Sequence, residues 1–502
     1  MRARRSLALS LAASMSIISV PAATLAQDGG SGGTLVAAIS AEPDQLDPHV
    51  TSAYVSFQVL ENVFDTLVEP DENLEMVPAL AESWEISDDG LTYTFDLRDG
   101  VTWHDGTPLT ANDVVYSYGR IRDSASNGWR FGTLTDVTAP DDDTVVFTLS
   151  APTPNLLASL GAYKGLAIVQ QANVESGDIT TAPIGTGPFS FSEWTSGDSI
   201  ELVRNDAYWG GAPNLDGVTY RFIPDATVAL TNLQAGEVQW TDNLPAQQVN
   251  SLKDSSDITV ESVPSNDYYY FAANENRDPY SDARVRQALA WAIDRDAIVQ
   301  AALFGNATVN QTAIPETSGW YFDYAPYSRD LDMAQSLLDE AGVEDLQIDL
   351  MVVSSDNQAV TAAQVIAANL AEIGVTVNIR QLDSSTWIAD QGAGNFDIFL
   401  WSWIGNLDPS DFYYAQHHTD GGFNAQGYSN PDVDAALDAA GTETDHDARK
   451  ALYDEAAKMI VDDASYVYLY NPEIVQGFSP NVEGYTVRGD AAIRFDDASL
   501  SQ

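Results

Sequence analysis

Alternating apolar and polar residues mark several strands in the first third of the chain. The first ordered element is predicted to be the strand 34–39, which follows a Gly/Ser-rich, flexible leader at residues 27–33. From about residue 69 to residue 169 the pattern is largely β, and two alternating segments flank the dipeptide Asp89-Gly90, which predicts a hairpin turn. We interpret 69–169 as a small β-rich subdomain.

The pattern changes in the second half of the chain. Residues 346–352 alternate as a strand, 359–373 have helical spacing that ends at Gly374, and 375–379 alternate again. Such a β-α-β unit requires a parallel sheet covered by helices. We therefore expect an α/β lobe with its own core over roughly residues 266–467, with ligands gathering at its strand ends and at its interface.

The amino terminus has the order of a cleavable secretory signal. Three arginines in the first five residues precede an apolar run at 7–20 and small residues that end at Ala26. The run is interrupted by serines and is shorter than the ~20 residues that a membrane span needs, which disfavours a retained anchor. We predict a signal peptide at 1–26 and a periplasmic location, and leave open whether the Sec or the twin-arginine route exports the chain.

Composition narrows the choice of partners. The 502 residues include 74 acidic and 22 basic side chains and no cysteine, for a net charge of −52. This charge argues against binding to nucleic acid or to anionic membrane surfaces. It suits a solvated, self-repelling protein surface, such as one in a salty environment. Without cysteine there is no disulfide and no lipid-modified amino terminus, so we expect no lipid anchor. We also expect a monomer.

The histidines do not predict a metal site. His417 and His418 are adjacent and point in different directions, whereas His49, His104 and His446 are far apart in sequence and lack metal-ligand spacing. We expect neither a metal nor a cofactor.

A secreted hydrolase is the rival class of function. Because the chain has many carboxylates, the sequence does not exclude a catalytic pair of acids. It contains, however, neither of the hydrolase motifs Gly-x-Ser-x-Gly and His-Glu-x-x-His. A hydrolase would accumulate product, whereas a binding protein would bind stoichiometrically without turnover. We expect no enzymatic activity.

Nine short motifs occur along the chain: EPDQLDP at 42–48, NVFDTLV at 62–68, PALAESW at 78–84, FDLRDGVTWHDG at 95–106, LTANDV at 109–114, GTGPF at 185–189, NDAYW at 205–209, VRQAL at 285–289 and WIGNLDP at 403–409. Together they resemble the motifs of the family 5 extracellular solute-binding proteins, which serve dipeptide and oligopeptide ABC importers. The motifs occur in the family's order across nearly the whole mature chain.

The resemblance implies an α/β, two-lobed periplasmic-binding-protein fold of the type II-like, large peptide-binding cluster. Lobe I is then discontinuous, the β-rich subdomain is appended to it, and the chain crosses a hinge twice, near 265–267 and near 470–472. The implied division is 34–68, 170–265 and 470–502 for lobe I, 69–169 for the subdomain and 266–469 for lobe II.

The resemblance also implies a ligand between the lobes. Aromatic walls supply contact area with few rotatable bonds to freeze. Among the aromatics near the predicted crossover we select Tyr269, and we select Trp401 and Trp403 after the strand predicted at 396–400. Tyr54, after the motif at 42–48, is a further candidate.

One position departs from the peptide-binding pattern. In such relatives an aspartate shortly after the tryptophan-containing strand pairs with the ammonium group of the peptide. Asn406 stands at that position here, and Asp408 follows after an apparent one-residue shortening. Either Asp408 or Asp411 replaces the expected carboxylate, or the ligand is held through the amide of Asn406, which suits a modified peptide or a sugar hydroxyl.

We therefore expect an extracytoplasmic receptor that captures a small peptide or peptide-like solute and delivers it to the membrane permease of an ABC importer. The same role for an oligosaccharide or another non-peptide solute stays open, because pocket volume decides between them. The identity and length of the ligand and the identity of the permease are not predicted.

Overall fold

A computed structural model describes residues 32–71, 74–123, 131–161, 164–404 and 407–501. The predicted signal peptide and most of the predicted leader lie outside these ranges.

Strands and helices are mixed throughout the described residues. The strands are β1 (Thr34–Ile39), β2 (Val68–Pro70), β3 (Met76–Pro78), β4 (Ala81–Ile86), β5 (Thr92–Leu97), β6 (Leu134–Thr138), β7 (Thr144–Leu149), β8 (Phe189–Thr195), β9 (Ser199–Arg204), β10 (Gly217–Phe222), β11 (Trp240–Thr241), β12 (Thr259–Pro264), β13 (Tyr268–Ala273), β14 (Ala307–Val309), β15 (Gln347–Val353), β16 (Thr376–Leu382), β17 (Ile398–Trp403), β18 (Val467–Phe478), β19 (Val482–Glu483) and β20 (Ser499–Leu500). The α-helices are α1 (Tyr54–Leu60), α2 (Ala111–Arg122), α3 (Leu156–Gly161), α4 (Gln171–Ser176), α5 (Ala226–Ala235), α6 (Val249–Leu252), α7 (Ala283–Ala292), α8 (Arg295–Leu303), α9 (Leu331–Ala341), α10 (Asn357–Ala371), α11 (Ser384–Gly392), α12 (Tyr413–His417), α13 (Pro431–Ala440) and α14 (His446–Asp462). Short 3₁₀ turns occur at Lys164–Leu166, Asp178–Thr180, Ala246–Gln248 and Pro409–Asp411.

Buried apolar side chains gather into separate cores. One core takes its residues from 268–470, and we call the surrounding body lobe II. A second is built from 35–64, 167–240 and 478–498, and we call its body lobe I. A third lies within 67–168 and belongs to the β-rich part of the chain.

The β-α-β unit of lobe II is confirmed. β15 and β16 are parallel, with Leu350 opposite Ile379, and α10 connects them. The side chain of Asp356 caps α10 by accepting a hydrogen bond from the Ala359 amide at 2.9 Å, which satisfies a backbone donor that the first helical turn leaves open. Gly374, with φ of 76°, turns the chain into β16.

The predicted hairpin of the β-rich part is also confirmed. β4 and β5 pair antiparallel, and the turn between them contains Gly90 at φ of 68°. The sheet order is β4-β5-β7-β6. On its inner face, the ring of Phe147 in β7 meets Phe95 of β5 and Tyr118 of α2 edge-on, with ring centroids 5.3 and 5.1 Å apart. This part therefore has an aromatic core of its own.

Strand β18 runs through both lobes. Residues 467–470 pair with β13 of lobe II, while residues 473–478 pair with β12 of lobe I. At about 3.3 Å per residue, its twelve residues span roughly 40 Å. The fully buried Asn471, in the middle of β18, donates hydrogen bonds to the carbonyl oxygens of Asp267 at 2.8 Å and Ala313 at 3.2 Å. The two chain crossings are thereby tied to each other.

Candidate functional site

Strand ends from the two lobes face each other beside the middle of β18. In lobe I, β11 is parallel to β1 and antiparallel to β18. Thr241, at the carboxyl end of β11, lies opposite Gly477, so β11 points toward lobe II. In lobe II, β17 ends at Trp403, opposite Tyr268, and β15 and β16 are parallel to β17. Ligands of open α/β sheets bind outside such carboxyl ends, so this gap is the candidate site.

Trp401 and Trp403 lie within β17, not after it as the sequence predicts. Trp401 is opposite Tyr270 and Trp403 is opposite Tyr268, so all four side chains are on one face of the sheet. Both tryptophans are half-buried. Trp401 stacks on Trp387 of α11 with centroids 4.2 Å apart, and Trp403 meets Phe423 edge-on at 4.9 Å. The carboxyl end of β17 therefore carries aromatic side chains that pack, half-buried, against the core of lobe II.

Tyr269 lies on the other face of this sheet, because its partner in β17 is Ser402. Its ring stacks on Tyr470 of β18 at 4.9 Å, and its hydroxyl donates to Asp356 Oδ2 at 3.2 Å. Burial, and then the charge of Asp356, raise the pKa of this phenol above its ordinary value. Tyr269 and the two tryptophans therefore do not form one surface, although all three are at the hinge end of their strands.

Asp408 is engaged within lobe II. Its side chain is 4 % exposed and accepts two hydrogen bonds from Arg449, at 2.6 and 2.7 Å. It also accepts from the amide and the hydroxyl of Ser410, at 3.0 and 2.7 Å. A ligand ammonium could reach this carboxylate only by breaking a buried, bidentate ion pair. Asn406 lies outside the described residues, and Asp411 accepts from Asn155 Nδ2 at 3.2 Å.

Tyr54 begins α1 on the lobe I side of the gap. Its side chain is 47 % exposed, yet burial raises its pKa, with a further contribution from Asp242. Gln58, four residues along α1, donates to Asp242 Oδ2 at 2.5 Å. Tyr54 thus belongs to a small polar group that also contains Asp242, which follows β11.

Asp242 is a residue that the sequence analysis missed among 74 acids. A signal for it is its place directly after the buried pair Trp240-Thr241, since ligands of α/β sheets bind at the carboxyl ends of strands. The missed ring partners Trp387 and Phe423 carry no such signal, since they reach β17 from distant parts of the chain.

Two recesses flank the sheet of lobe II. One lies beside the segment that follows β17 and is lined by Asn266, Ala313, Ile314, Pro315, Ser318, Trp320, Leu407, Pro409 and Phe412. The other is lined by Leu346 and Val375 among others, so it lies at the opposite, amino-terminal ends of β15 and β16. Of these two recesses, the first adjoins the candidate site.

Two buried histidines each have one ring nitrogen within hydrogen-bond distance of a partner. His417 Nε2 lies 3.1 Å from the Tyr468 hydroxyl, and burial lowers its pKa to about 3. His49 Nε2 lies 2.8 Å from the Ala167 carbonyl oxygen, and burial lowers its pKa to about 4. In the ranges that the structure describes, no three histidine or carboxylate side chains are arranged to hold a metal ion.

Known proteins match this chain over nearly its full length. The glutathione-binding protein GsiB of Pectobacterium atrosepticum is 29% identical over 499 residues, which cover 96% of this chain and 97% of the relative. Among solved structures, HbpA2 from Haemophilus parasuis has a TM-score of 0.87 at 27% identity and covers 94% of this chain and 100% of its own.

A second solved structure contains a ligand. The periplasmic binding protein DppA from Helicobacter pylori, in complex with the peptide STSA, has a TM-score of 0.78 at 28% identity and covers 94% of this chain and 99% of its own. These neighbours share a two-lobed α/β fold, which confirms the fold class that the motifs imply. No described helix has the length and apolarity of a membrane span.

The family model of the bacterial extracellular solute-binding proteins, family 5 (middle region), matches residues 75–424. That match covers more than half of the chain and includes both the β-rich part and the aromatic strand of lobe II. This chain therefore belongs to the family 5 extracellular solute-binding proteins, the receptor components of ABC importers.

Proposed function

We propose that this solute-binding protein captures a short peptide between lobe I and lobe II and delivers it to the permease of an ABC importer. One observation carries the proposal: strand ends from both lobes point into the same gap, and the lobe II end carries Trp401 and Trp403. The relatives favour a peptide ligand, since one is a glutathione-binding protein and another holds the tetrapeptide STSA.

The dimensions of the gap suit a ligand of this kind. Between Gly477, beside the end of β11, and Tyr470, beside β13, strand β18 runs for roughly 20 Å. An extended peptide advances about 3.4 Å per residue, so about six residues match that length of β18 and a shorter peptide matches part of it. An oligosaccharide remains the second candidate, because tryptophan faces also stack on sugar rings.

The proposed domain division places the hinge at 265–267 and 470–472. Each lobe has its own core, so closure as a rigid-body rotation would leave both cores intact. Closure would remove water from the ligand and strengthen its hydrogen bonds. Opening by the permease would reverse this.

The proposed contacts are Trp401 and Trp403 from lobe II and Tyr54 from lobe I, with Tyr269 at the hinge edge and Asn406, which follows β17 in the sequence. For Asp408 we propose an indirect role. Its ion pair with Arg449 fixes the start of the turn Pro409–Asp411, and this turn adjoins the recess lined by Asn266, Pro409 and Phe412.

We further propose that the chain is exported by its signal peptide, acts in the periplasm and does not turn over its ligand. The three relatives described above are binding proteins, as their names or the family's role indicate. A secreted hydrolase would instead release product at catalytic protein concentrations.

Calorimetry with purified, non-refolded protein tests the proposal. Titration with di- to pentapeptides, with oligosaccharides and with nickel separates the ligand classes. Saturable binding of one peptide per protein, with the peptide recovered intact, supports the proposal. Binding of a sugar while peptides of every length fail would overturn the peptide assignment.

A further inference from the structure

Asp242 is a carboxylate without a counter-ion at the lobe I side of the gap. Gln58 donates to its Oδ2, and its Oδ1 is buried and accepts no hydrogen bond from the residues that the structure describes. None of the described arginines or lysines pairs with it. Burial raises the pKa of Asp242 to about 6, outweighing the nearby polar groups of Gln58 and Tyr54.

A carboxylate in this setting is costly for the protein alone. Burying an ionised group is unfavourable unless an opposite charge and full hydrogen bonding compensate for it. The groups that face Asp242 are neutral at physiological pH: Gln58 and Tyr54 of α1, and Tyr485 of the carboxyl-terminal segment. A cationic group of the ligand would supply the compensation that these side chains do not.

The position of Asp242 indicates the source. It directly follows Thr241, at the carboxyl end of β11, and this end points toward lobe II. The half-exposed Tyr54 is beside it. Asp408, the carboxylate expected from the sequence, is already paired with Arg449. Asp242 has no such partner among the described residues, so its carboxylate is open to a cationic ligand group.

We infer that Asp242 binds a cationic group of the ligand, so that lobe I, and not the loop after β17, supplies the counter-charge for the ligand. This inference rests on the proposed function and adds the ligand's chemistry to it. The cation is an ammonium or guanidinium group, and in a peptide it is either the amino terminus or a basic side chain.

The test compares the wild type with Asp242→Asn, which keeps the shape and an acceptor for Gln58 but removes the charge. Asp254→Asn is the matched control, because Asp254 is an exposed lobe I residue and the change in net charge is the same. The calorimetric probes are Ala-Ala-Ala, N-acetyl-Ala-Ala-Ala and N-acetyl-Ala-Lys-Ala. Native mass spectrometry identifies any solute that the wild-type protein retains through purification.

We expect Asp242→Asn to weaken binding of the cationic probes by roughly 10- to 100-fold, the value of a charge-assisted hydrogen bond, and Asp254→Asn to bind as the wild type does. Acetylation of the amino terminus distinguishes the two sources. If the α-ammonium is bound, both acetylated probes bind weakly to the wild type; if a side chain is bound, N-acetyl-Ala-Lys-Ala keeps its affinity.

Failure of this inference differs from failure of the proposed function. Two results overturn the role of Asp242 and leave a peptide receptor. In the first, Asp242→Asn binds the cationic probes as tightly as the wild type does. In the second, the variant loses as much affinity for N-acetyl-Ala-Ala-Ala, which has no ammonium group, as for the cationic probes. A retained cationic solute that is not a peptide overturns the peptide assignment and supports Asp242. A wild-type protein that binds none of the probes and retains no cationic solute overturns both.

Discussion

Arg449 holds Asp408 through two parallel hydrogen bonds of 2.6 and 2.7 Å, and both side chains are 4 % exposed. Arg449 Nε also donates to the Ala440 carbonyl oxygen at 3.0 Å. The pair therefore links the turn after β17 to helices α13 and α14. The Asp408 carboxylate, which the sequence offered as a ligand contact, therefore anchors the turn after β17 within lobe II.

Removing one partner of this pair should destabilise lobe II. We expect Arg449→Ala to lower the free energy of unfolding by about 3–5 kcal/mol, because it leaves the Asp408 carboxylate buried without its counter-ion. Urea denaturation monitored by tryptophan fluorescence measures the change. Lys450→Ala is the control: it breaks the more exposed pair with Asp454 in the same helix, for an expected loss below about 0.5 kcal/mol. Similar losses in both variants would contradict the anchoring role.

Trp403 should contribute to ligand binding more than to folding. It is half-buried and meets Phe423 at one edge, so Trp403→Ala is expected to weaken binding by more than about 1 kcal/mol with little change in stability. Calorimetry and thermal unfolding measure the two effects. Trp84→Ala, a half-buried tryptophan of β4, is the control and should leave affinity unchanged. Wild-type affinity in Trp403→Ala would remove this residue from the site.

The stability of the ligand-free protein should depend on the charge of Asp242. Its pKa is about 6 in the folded protein and near 3.8 in the unfolded chain, so the folded state binds more protons and its stability falls as the pH rises through this window. We expect Asp242→Asn to be more stable than the wild type by about 1–3 kcal/mol at pH 7.5 and by nothing measurable at pH 3.5.

Denaturant titrations at the two pH values check this expectation. Asp254→Asn, with its exposed carboxylate, should show no such difference. An Asp242→Asn variant that is less stable than the wild type at neutral pH would mean that the ionised carboxylate stabilises the fold, contrary to its lack of a counter-ion.

Asn471 should keep the two hinge crossings together. Asn471→Ala leaves the carbonyl oxygens of Asp267 and Ala313 without this donor, at an expected cost of about 1–3 kcal/mol. Small-angle scattering should then show a smaller ligand-induced decrease in the radius of gyration than in the wild type. An unchanged decrease would place the hinge elsewhere.

Local patterns predicted much of the fold. The hairpin at Asp89-Gly90 and the unit β15-α10-β16 depend on alternation and on end signals such as Gly374, which act within a few residues. The ordered motifs identified the family and its fold class.

The site was less predictable, because it depends on contacts between distant residues. Asp408 is paired with a residue 41 positions away, and only the fold brings Arg449 to it. Likewise, the alternation of Tyr268–Ala273 did not show which tyrosine faces the tryptophans. The register with β17 decides this, and it places Tyr268 and Tyr270 with them and Tyr269 on the other face.

Native mass spectrometry of the protein, purified from the periplasm without refolding, tests the central claim most directly. We predict one short peptide with a cationic group bound per protein molecule, released intact on denaturation and replaced stoichiometrically by the same synthetic peptide. Retention of a sugar or another non-peptide solute, with no binding of peptides of any length, would contradict the account.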